Sequence, residues 1–140
     1  MQEEVVIIHT DGGARGNPGP SACAFVAEVS DEIVYKKSKF LGINTNNFAE
    51  YSAFILALQW LSEYSNKYNG NEVVFYSDSE LVVRQLTGVY KIKNENLRIL
   101  NQKINELVKT ANLKVSYKNI LRSKNKIADQ LVNDELDSNG

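Results

Sequence analysis

Four acidic residues of this chain stand where their carboxylates could hold divalent cations. Asp11 follows a β-branched run and opens a glycine-rich stretch, and Asp78 follows a second apolar run. Glu50 and Asp129 lie near the starts of two segments whose apolar residues recur at helical spacing. Carboxylate oxygens are the hard ligands that magnesium and manganese prefer. If the fold brings these side chains together, they can form a metal site.

Each of these acids also has an ordinary structural interpretation. Asn47 precedes Glu50 by three residues, which is the spacing of a capping box at a helix start. Asp129 lies where the helix dipole favours an anion. Asp11 and Asp78 could both be turn residues, and Asp followed by Gly is a common turn signal. Taken one at a time, the acids do not decide between catalysis and local structure.

The glycine-rich stretch from His9 to Pro20 does not match two nucleotide-binding motifs. A dinucleotide fingerprint needs glycines that open a helix, and a P-loop needs Gly-Lys followed by Ser or Thr. Here Pro18 and Pro20 interrupt the stretch, and a strand is predicted to follow. What remains is a tight turn after Asp11. It is either purely structural or a turn whose glycines let a ligand backbone approach closely, with Asn17 as a polar contact.

Hydrophobic periodicity predicts the element order βββαβααβα. The predicted strands are EVVIIHT, ACAFVAEV, EIVYKKSKFL, VVFYS and LKVSYKNI, and the predicted helices are NTNNFAEYSAFILALQWLSEY, SELVVRQL, LRILNQKINELVKT and KNKIADQLVNDEL. YNGNE is predicted to end the first helix. The polar pair Ser30 and Asp31 suits a hairpin, so the first three strands form an antiparallel meander. Helical connections make strands one, four and five parallel. If strand one lies between strands two and four, the ends that carry Asp11 and Asp78 lie side by side, where ligands of such sheets tend to bind.

Composition limits the class of protein. The 140 residues suit one domain, 1–140, with a core of about 5–136 and a polar tail, NDELDSNG, that is predicted to fray. Acids and bases nearly balance, 17 against 16, so local groups must hold any polyanionic partner. Cys23 is the lone cysteine, which excludes an intramolecular disulfide and predicts a small core residue. Without a leader-like N-terminus or an apolar run of about 18 residues, we expect a soluble, cytoplasmic protein.

Four stretches together resemble a known family. TDGGARGNPGP, NTNNFAEYSAFILAL, YSDSELVVRQL and NKIADQLVN are similar, in this order and at suitable separations, to the four acidic motifs of ribonuclease HI. The resemblance extends from about Val5 to about Val132. It implies a ribonuclease H-like α/β fold, with a five-stranded mixed sheet in the order 3-2-1-4-5 flanked by helices. It also implies a metal-dependent endonuclease that hydrolyses the RNA strand of RNA/DNA hybrids and leaves 5′-phosphate and 3′-hydroxyl ends.

The resemblance assigns the metal-binding residues by motif position. The family's catalytic and metal-binding carboxylates correspond to Asp11, Glu50, Asp78 and Asp129. Two-metal-ion catalysis implies two Mg²⁺ ions about 4 Å apart, with Mn²⁺ as a substitute. Asp11 is expected to bridge the ions, with Glu50 and Asp78 on one and Asp129 on the other. Water is then the attacking group, so no protein nucleophile is expected.

The resemblance also assigns contacts to the substrate. RNA differs from DNA by its 2′-hydroxyl, to which Asn and Ser can both donate and accept hydrogen bonds. The expected substrate-binding residues are Gly12, Gly13, Ala14, Asn17, Thr45, Asn46, Asn47, Ser79, Glu80 and Arg122. For Asn46 and Asn47, helix capping is the alternative interpretation. Thr45 is expected on a DNA phosphate.

The chain departs from the family pattern in two places. Many members carry a histidine in the loop after the fifth strand, whereas YKNILRSKNKIAD offers Arg122 and no histidine. The single histidine, His9, is predicted to be a packed strand residue. Some relatives insert a basic helix and loop after the third motif, but TGVYKIKNENLRIL is short and carries only Lys91, Lys93 and Arg98. The chain therefore matches the compact form that lacks the basic protrusion.

Two other functions stay open. The same fold could act on double-stranded RNA, or it could be a non-catalytic module that binds hybrids. The carboxylates argue against a pure binder, because concentrated negative charge repels a phosphate. We expect an RNA/DNA hybrid as the partner, no membrane association and a monomer.

Overall fold

The strand order matches the prediction from the sequence. The computed structural model describes residues 5–68 and 72–139, and its sheet has the order β3-β2-β1-β4-β5. The strands are β1 (Val5–Ala14), β2 (Gly19–Val29), β3 (Glu32–Asn44), β4 (Glu72–Ser77) and β5 (Lys114–Asn119). β2 pairs antiparallel with β1 and β3, whereas β1, β4 and β5 are parallel. The predicted hairpin between β2 and β3 is confirmed, and Ser30 and Asp31 both have the positive φ of a type I′ turn.

Helix α1 lies at the centre of the main core. The helices are α1 (Asn46–Tyr68), α2 (Glu80–Leu86), α3 (Glu95–Thr110) and α4 (Lys126–Ser138), with a short 3₁₀ helix at Arg122–Lys124. α1 contacts β1, β2 and α3, which explains why apolar residues occur on several of its sides. Of the motif YNGNE, predicted to end α1, residues 69–71 lie outside the described residues. Within 5–68 and 72–139, no helix has both the length and the hydropathy to span a bilayer.

Both faces of β2 are covered, which brings α4 to the site. Cys23 and Phe25 pack in the α1 core, and the alternate residues Ala22 and Ala24 pack with Val132 of α4 on the opposite face. The small alanine side chains let α4 lie close to the sheet. The first turn of α4 is thereby held beside the end of β1, which α4 also contacts.

Strand β1 is longer than its sequence predicts. The Asp-Gly signal predicts a strand that ends at Asp11 and a turn that follows at once. In the structure Asp11–Ala14 continue the ladder and pair with Ser21–Ala24 of β2. The turn lies further on, between Ala14 and Gly19, where Gly16 has a φ of +94°. The prediction of a turn at Gly12 is therefore wrong, because pairing with β2 satisfies the backbone of this segment as a strand.

The C-terminal segment is also more ordered than predicted. The tail NDELDSNG is predicted to fray, but α4 continues to Ser138. Leu136 lies one helical turn after Val132 and is buried with it against β2. Asp137 accepts a salt bridge from Arg15 at 2.7 Å. One apolar residue at the correct helical spacing is enough to extend the packed face of α4 through a polar tail.

Gly12 allows β1 and α1 to approach each other more closely than any other residue would. A Cβ atom at Gly12 would overlap the carbonyl group of Ala49 and would lie 2.6 Å from the amide nitrogen of Glu50. The Gly12 amide donates a hydrogen bond to Glu50 Oε1 at 2.9 Å. The missing side chain of Gly12 is therefore what places Glu50 directly beside β1.

We predict that Gly12→Ala destabilises the protein strongly, whereas Gly13→Ala does not. The new methyl group at Gly12 meets the α1 backbone, which cannot move aside as a flexible side chain can, so we expect a loss of about 3 kcal/mol in the free energy of unfolding. The nearest atoms to a Cβ at Gly13 are 4.0 Å away. Urea unfolding of both variants measures the difference. Equal stability of the two variants would contradict the inferred close approach.

Candidate active site

Three carboxylates from three different elements meet at the end of β1. Asp11 lies on β1, Glu50 on α1 and Asp78 directly after β4, and one oxygen of each lies within 4.8 Å of the others. β1 and β4 are neighbouring parallel strands, with Thr10 opposite Ser77. This register carries Asp11 and Asp78 to the same edge of the sheet. The structure therefore brings together three of the four acids that the sequence predicts.

The fourth acid, Asp129, lies at the side of this group. It occupies the first turn of α4 and lines the same cleft, but it does not belong to the close group of three. Its carboxylate is 3.6 Å from the guanidinium of Arg122. Asn133, one turn later, donates a hydrogen bond to the carbonyl oxygen of Asp129. The position fits both interpretations from the sequence, a helix-start acid and a ligand at the cleft.

Burial and crowding make negative charge costly here. Burial, and then the negative charge of Asp78, raises the pKa of Asp11 to about 7. The pKa of Glu50 is also well above its ordinary value, because of burial first and the nearby Asp11 second. Glu50 Oε2 is buried and has no hydrogen-bond partner within the described part of the chain. The donor set therefore fits a divalent cation, which would replace protons on these oxygens.

The capping interpretations of α1 are wrong. Thr45 is the residue that caps the helix, because its hydroxyl accepts a hydrogen bond from the Phe48 amide at 3.1 Å. Glu50 lies beyond the first turn and is directed at β1 instead of back at Asn47. Asn46 Oδ1 accepts from the Ala14 amide at 2.7 Å. Because these side chains bond to β1, Glu50 and Asn46 fasten α1 to the edge that carries Asp11.

A cleft of about 450 Å³ opens above the carboxylates. Seven of the ten predicted substrate-binding residues line it, namely Gly12, Gly13, Ala14, Asn46, Asn47, Ser79 and Arg122. Asn17, Thr45 and Glu80 do not line it. Asn17 accepts a hydrogen bond from the Asn46 amide, Thr45 borders a neighbouring groove, and Glu80 forms a salt bridge with Arg84 at 2.8 Å.

The sequence analysis missed four residues that line the cleft. Arg15 follows the glycines of the first motif, and Asn133, Val132 and Leu136 follow Asp129 on α4. The helical spacing from Asp129 to Asn133 could have identified that residue, because residues four apart share one helix face. Arg15 carried no comparable signal, since its salt bridge to Asp137 joins opposite ends of the chain.

His9 and Cys23 lie away from the cleft, as predicted. The His9 ring stacks on Tyr76 with 5.2 Å between ring centroids, and burial lowers its pKa. It borders a separate cavity of about 250 Å³ between the sheet and the start of α4. Cys23 is fully buried, and burial raises the pKa of its thiol to about 12. Neither side chain is placed to act on a molecule bound at the carboxylates.

We predict that Asp11→Asn stabilises the metal-free protein at pH 8. The pKa of Asp11 in the folded protein, about 7, lies above its ordinary value of 3.8, so the folded chain binds more protons than the unfolded chain between these values. Stability from this group therefore falls as the pH rises through that window. In EDTA, the free energy of unfolding of the variant should exceed that of wild type by up to about 4 kcal/mol at pH 8 and by almost nothing below pH 4.

Thermal melts across this pH range make the measurement. Asp134→Asn is the control, because Asp134 is exposed on α4 and does not line the cleft. A melting temperature of Asp11→Asn below that of wild type at pH 8 would show that the carboxylates do not repel one another as described.

Comparison with known proteins agrees with the fold. The family model described as RNase H matches residues 3–137. Ribonuclease HI of Halobacterium salinarum is 36% identical over 91% of this chain and 62% of its own length. Bifunctional protein Rv2228c of Mycobacterium tuberculosis is 33% identical over 95% of this chain and 36% of its own length. The chain thus spans less than two thirds of either relative.

Solved structures give the same result. LC11-RNase H1, isolated from compost by a metagenomic approach, is 40% identical, with a TM-score of 0.90 over 99% of this chain and 98% of that chain. A structure of LC11-RNase H1 in complex with an RNA/DNA hybrid has a TM-score of 0.89 at 40% identity over 95% of this chain and 97% of that chain. On the family match, the sheet order and the clustered carboxylates, the chain belongs to the ribonuclease H family.

Proposed function

We propose that this chain is an endoribonuclease that hydrolyses the RNA strand of RNA/DNA hybrids and leaves 5′-phosphate and 3′-hydroxyl ends. The observation that carries the proposal is the group of three carboxylates, Asp11, Glu50 and Asp78, within 4.8 Å of one another beneath an open cleft. The complex of LC11-RNase H1 with an RNA/DNA hybrid supports this substrate.

The proposed cofactor is Mg²⁺, as two ions, with Mn²⁺ as a substitute. Asp11, Glu50, Asp78 and Asp129 would hold the ions. The unpartnered Glu50 Oε2 and the raised pKa of Asp11 support this, because both show that negative charge on these buried oxygens is unfavourable without a cation. When bound, such ions lower the pKa of a water molecule and stabilise the departing oxygen.

The protein's own contribution is to fix where the carboxylates stand. The ladder between β1 and β4 sets the position of Asp11 relative to Asp78, and the Gly12 amide orients the Glu50 carboxylate. These contacts exist before substrate arrives, so no reorganisation is needed when the phosphate enters. Water is the proposed attacking group, since Cys23 lies outside the cleft.

Selectivity for RNA is proposed to come from polar groups around the cleft. Asn46 uses its side-chain oxygen to accept from Ala14, which leaves its NH₂ group for a ligand. The Ser79 hydroxyl accepts from the Val82 amide at 3.3 Å, which leaves its proton free to be donated. Asn47 also lines the cleft and offers both a donor and an acceptor. Such groups suit a 2′-hydroxyl, which can both donate and accept.

We predict that Mg²⁺ or Mn²⁺ is required for cutting and that Asp78→Asn abolishes it. The substitution removes one charge from the carboxylate group but keeps the side-chain shape, so the fold should be retained. Cleavage of an end-labelled RNA/DNA hybrid, with either metal or with EDTA, makes the measurement. We expect the rate to fall at least about 10³-fold in the variant. Asp134→Asn is the matched control on an exposed site.

Matched substrates test the two alternative functions in the same assay. Duplex RNA and duplex DNA of the same sequence are run beside the hybrid. Faster cutting of duplex RNA than of hybrid would favour the alternative ribonuclease. Tight binding of the hybrid without cutting under either metal would instead make the chain a binding module.

We predict that Arg122→Ala lowers kcat/KM for the hybrid about tenfold. The Arg122 side chain is 81% exposed at the cleft, next to Asp129, where its positive charge can contact a phosphate. A contact of this kind corresponds to about 1.4 kcal/mol. Lys124→Ala is the control, because Lys124 belongs to the same 3₁₀ helix but borders the separate cavity. A similar kcat/KM for both variants would show that Arg122 does not contact the substrate.

A further inference from the structure

The three chain segments that carry Asp11, Asp78 and Asp129 meet at one buried residue, Asn125. Asn125 is 1% exposed. Its Nδ2 donates to the carbonyl oxygen of Thr10 at 2.8 Å and to Asp78 Oδ2 at 3.3 Å. The backbone carbonyl oxygen of Asn125 accepts a hydrogen bond from the Asp129 amide at 3.1 Å. One residue thus contacts the backbone next to Asp11, the carboxylate of Asp78 and the backbone of Asp129.

The orientation of this amide is determined by its partners. Both N–H groups of Nδ2 have an acceptor, and a flipped amide would place Oδ1 against two acceptor oxygens. Asn125 Oδ1 is buried and has no partner within the described part of the chain. An unmade hydrogen bond at a buried oxygen is unfavourable, so the donor contacts must account for this orientation of the side chain.

Helix capping does not explain Asn125. It stands at the N-cap position of α4, where Asn is favoured because its side chain can accept from the first amides of the helix. Here the side chain makes no such bond. It is directed instead at Thr10 and Asp78, away from the helix that it precedes.

We infer that Asn125 is a positioning residue for the metal-binding carboxylates. It fastens the end of β1, one oxygen of Asp78 and the first turn of α4 to one another. Asn125 does not line the cleft, so it does not contact a bound hybrid. The inference rests on the proposed function and deepens it: Asn125 sets cation affinity and turnover, and leaves hybrid binding unchanged.

The test compares Asn125→Ser and Asn125→Ala with Asn119→Ala. Ser remains a favoured N-cap, so Asn125→Ser keeps the start of α4 while its short side chain loses the bonds to Thr10 and Asp78. Asn119 is the matched control, because its amide donates to the carbonyl oxygen of Ser77 at 3.1 Å, at the end of β4. Each protein is examined by calorimetric titration with Mg²⁺ and by steady-state cleavage of the hybrid.

Both Asn125 variants should bind Mg²⁺ about tenfold more weakly and show a kcat about tenfold or more below wild type. Their KM for the hybrid should stay within about twofold of wild type. Asn119→Ala should lose stability but keep its Mg²⁺ affinity. If wild type binds Mg²⁺ and cuts while the Asn125 variants match it, the positioning role is wrong. If wild type neither binds Mg²⁺ nor cuts, the proposed function fails and this inference fails with it.

A measurement on wild type covers the case in which the variants do not fold. In ¹⁵N NMR spectra the Asn125 side-chain NH₂ should exchange slowly with solvent, because both protons are bonded in a buried site. Its signals should shift as Mg²⁺ is added, because Asp78 is one of its acceptors. Rapid exchange of these NH₂ protons would overturn the inference. So would NH₂ signals that do not shift when Mg²⁺ binds to the protein.

Discussion

The mutual repulsion of Asp11, Glu50 and Asp78 is the constraint on which the arrangement of this fold depends. Three carboxylates within 4.8 Å of one another, two of them 7% exposed, repel one another unless a cation lies between them. Burial first, and then the negative charge of Asp78, raises the pKa of Asp11 to about 7. If the strands and helices that carry these residues moved apart, the repulsion would fall. The site therefore persists only because the backbone around it is held from several sides.

Each support joins a different pair of elements. Parallel pairing holds the ends of β1 and β4 next to each other in the sheet. Because Gly12 has no Cβ atom, α1 can pack directly against β1. Ala22 and Ala24 bring α4 onto the opposite face of the sheet. Asn125 then fastens α4 to both strand ends. Together these contacts hold the carboxylates close to one another from several sides.

Structural features that depend on a local sequence pattern or on a motif were predicted well from the sequence. Period-two and helical spacing are visible along the chain, so the element order was predicted correctly. The motifs identified the acids, and the family resemblance that they carry implied the correct sheet order. Features that depend on contacts between distant segments of the chain were predicted poorly from the sequence. The Asp-Gly signal at Asp11 suggested a turn, because pairing with Ser21–Ala24 is not visible locally. The capping role of Thr45, the burial of Leu136 and the contacts of Asn125 likewise appear only in three dimensions.

The same constraint links stability to function. At the proposed metal site, protons and divalent cations would compete for the oxygens of Asp11 and Glu50, so cation binding would release protons and depend on pH. Above pH 7 the repulsion is strongest, and a bound cation then contributes most to the folded state. Removing an acid relieves the repulsion but also removes a ligand. The metal-free chain is therefore less stable than its fold would allow, because the feature that destabilises it is the one proposed to bind the cation.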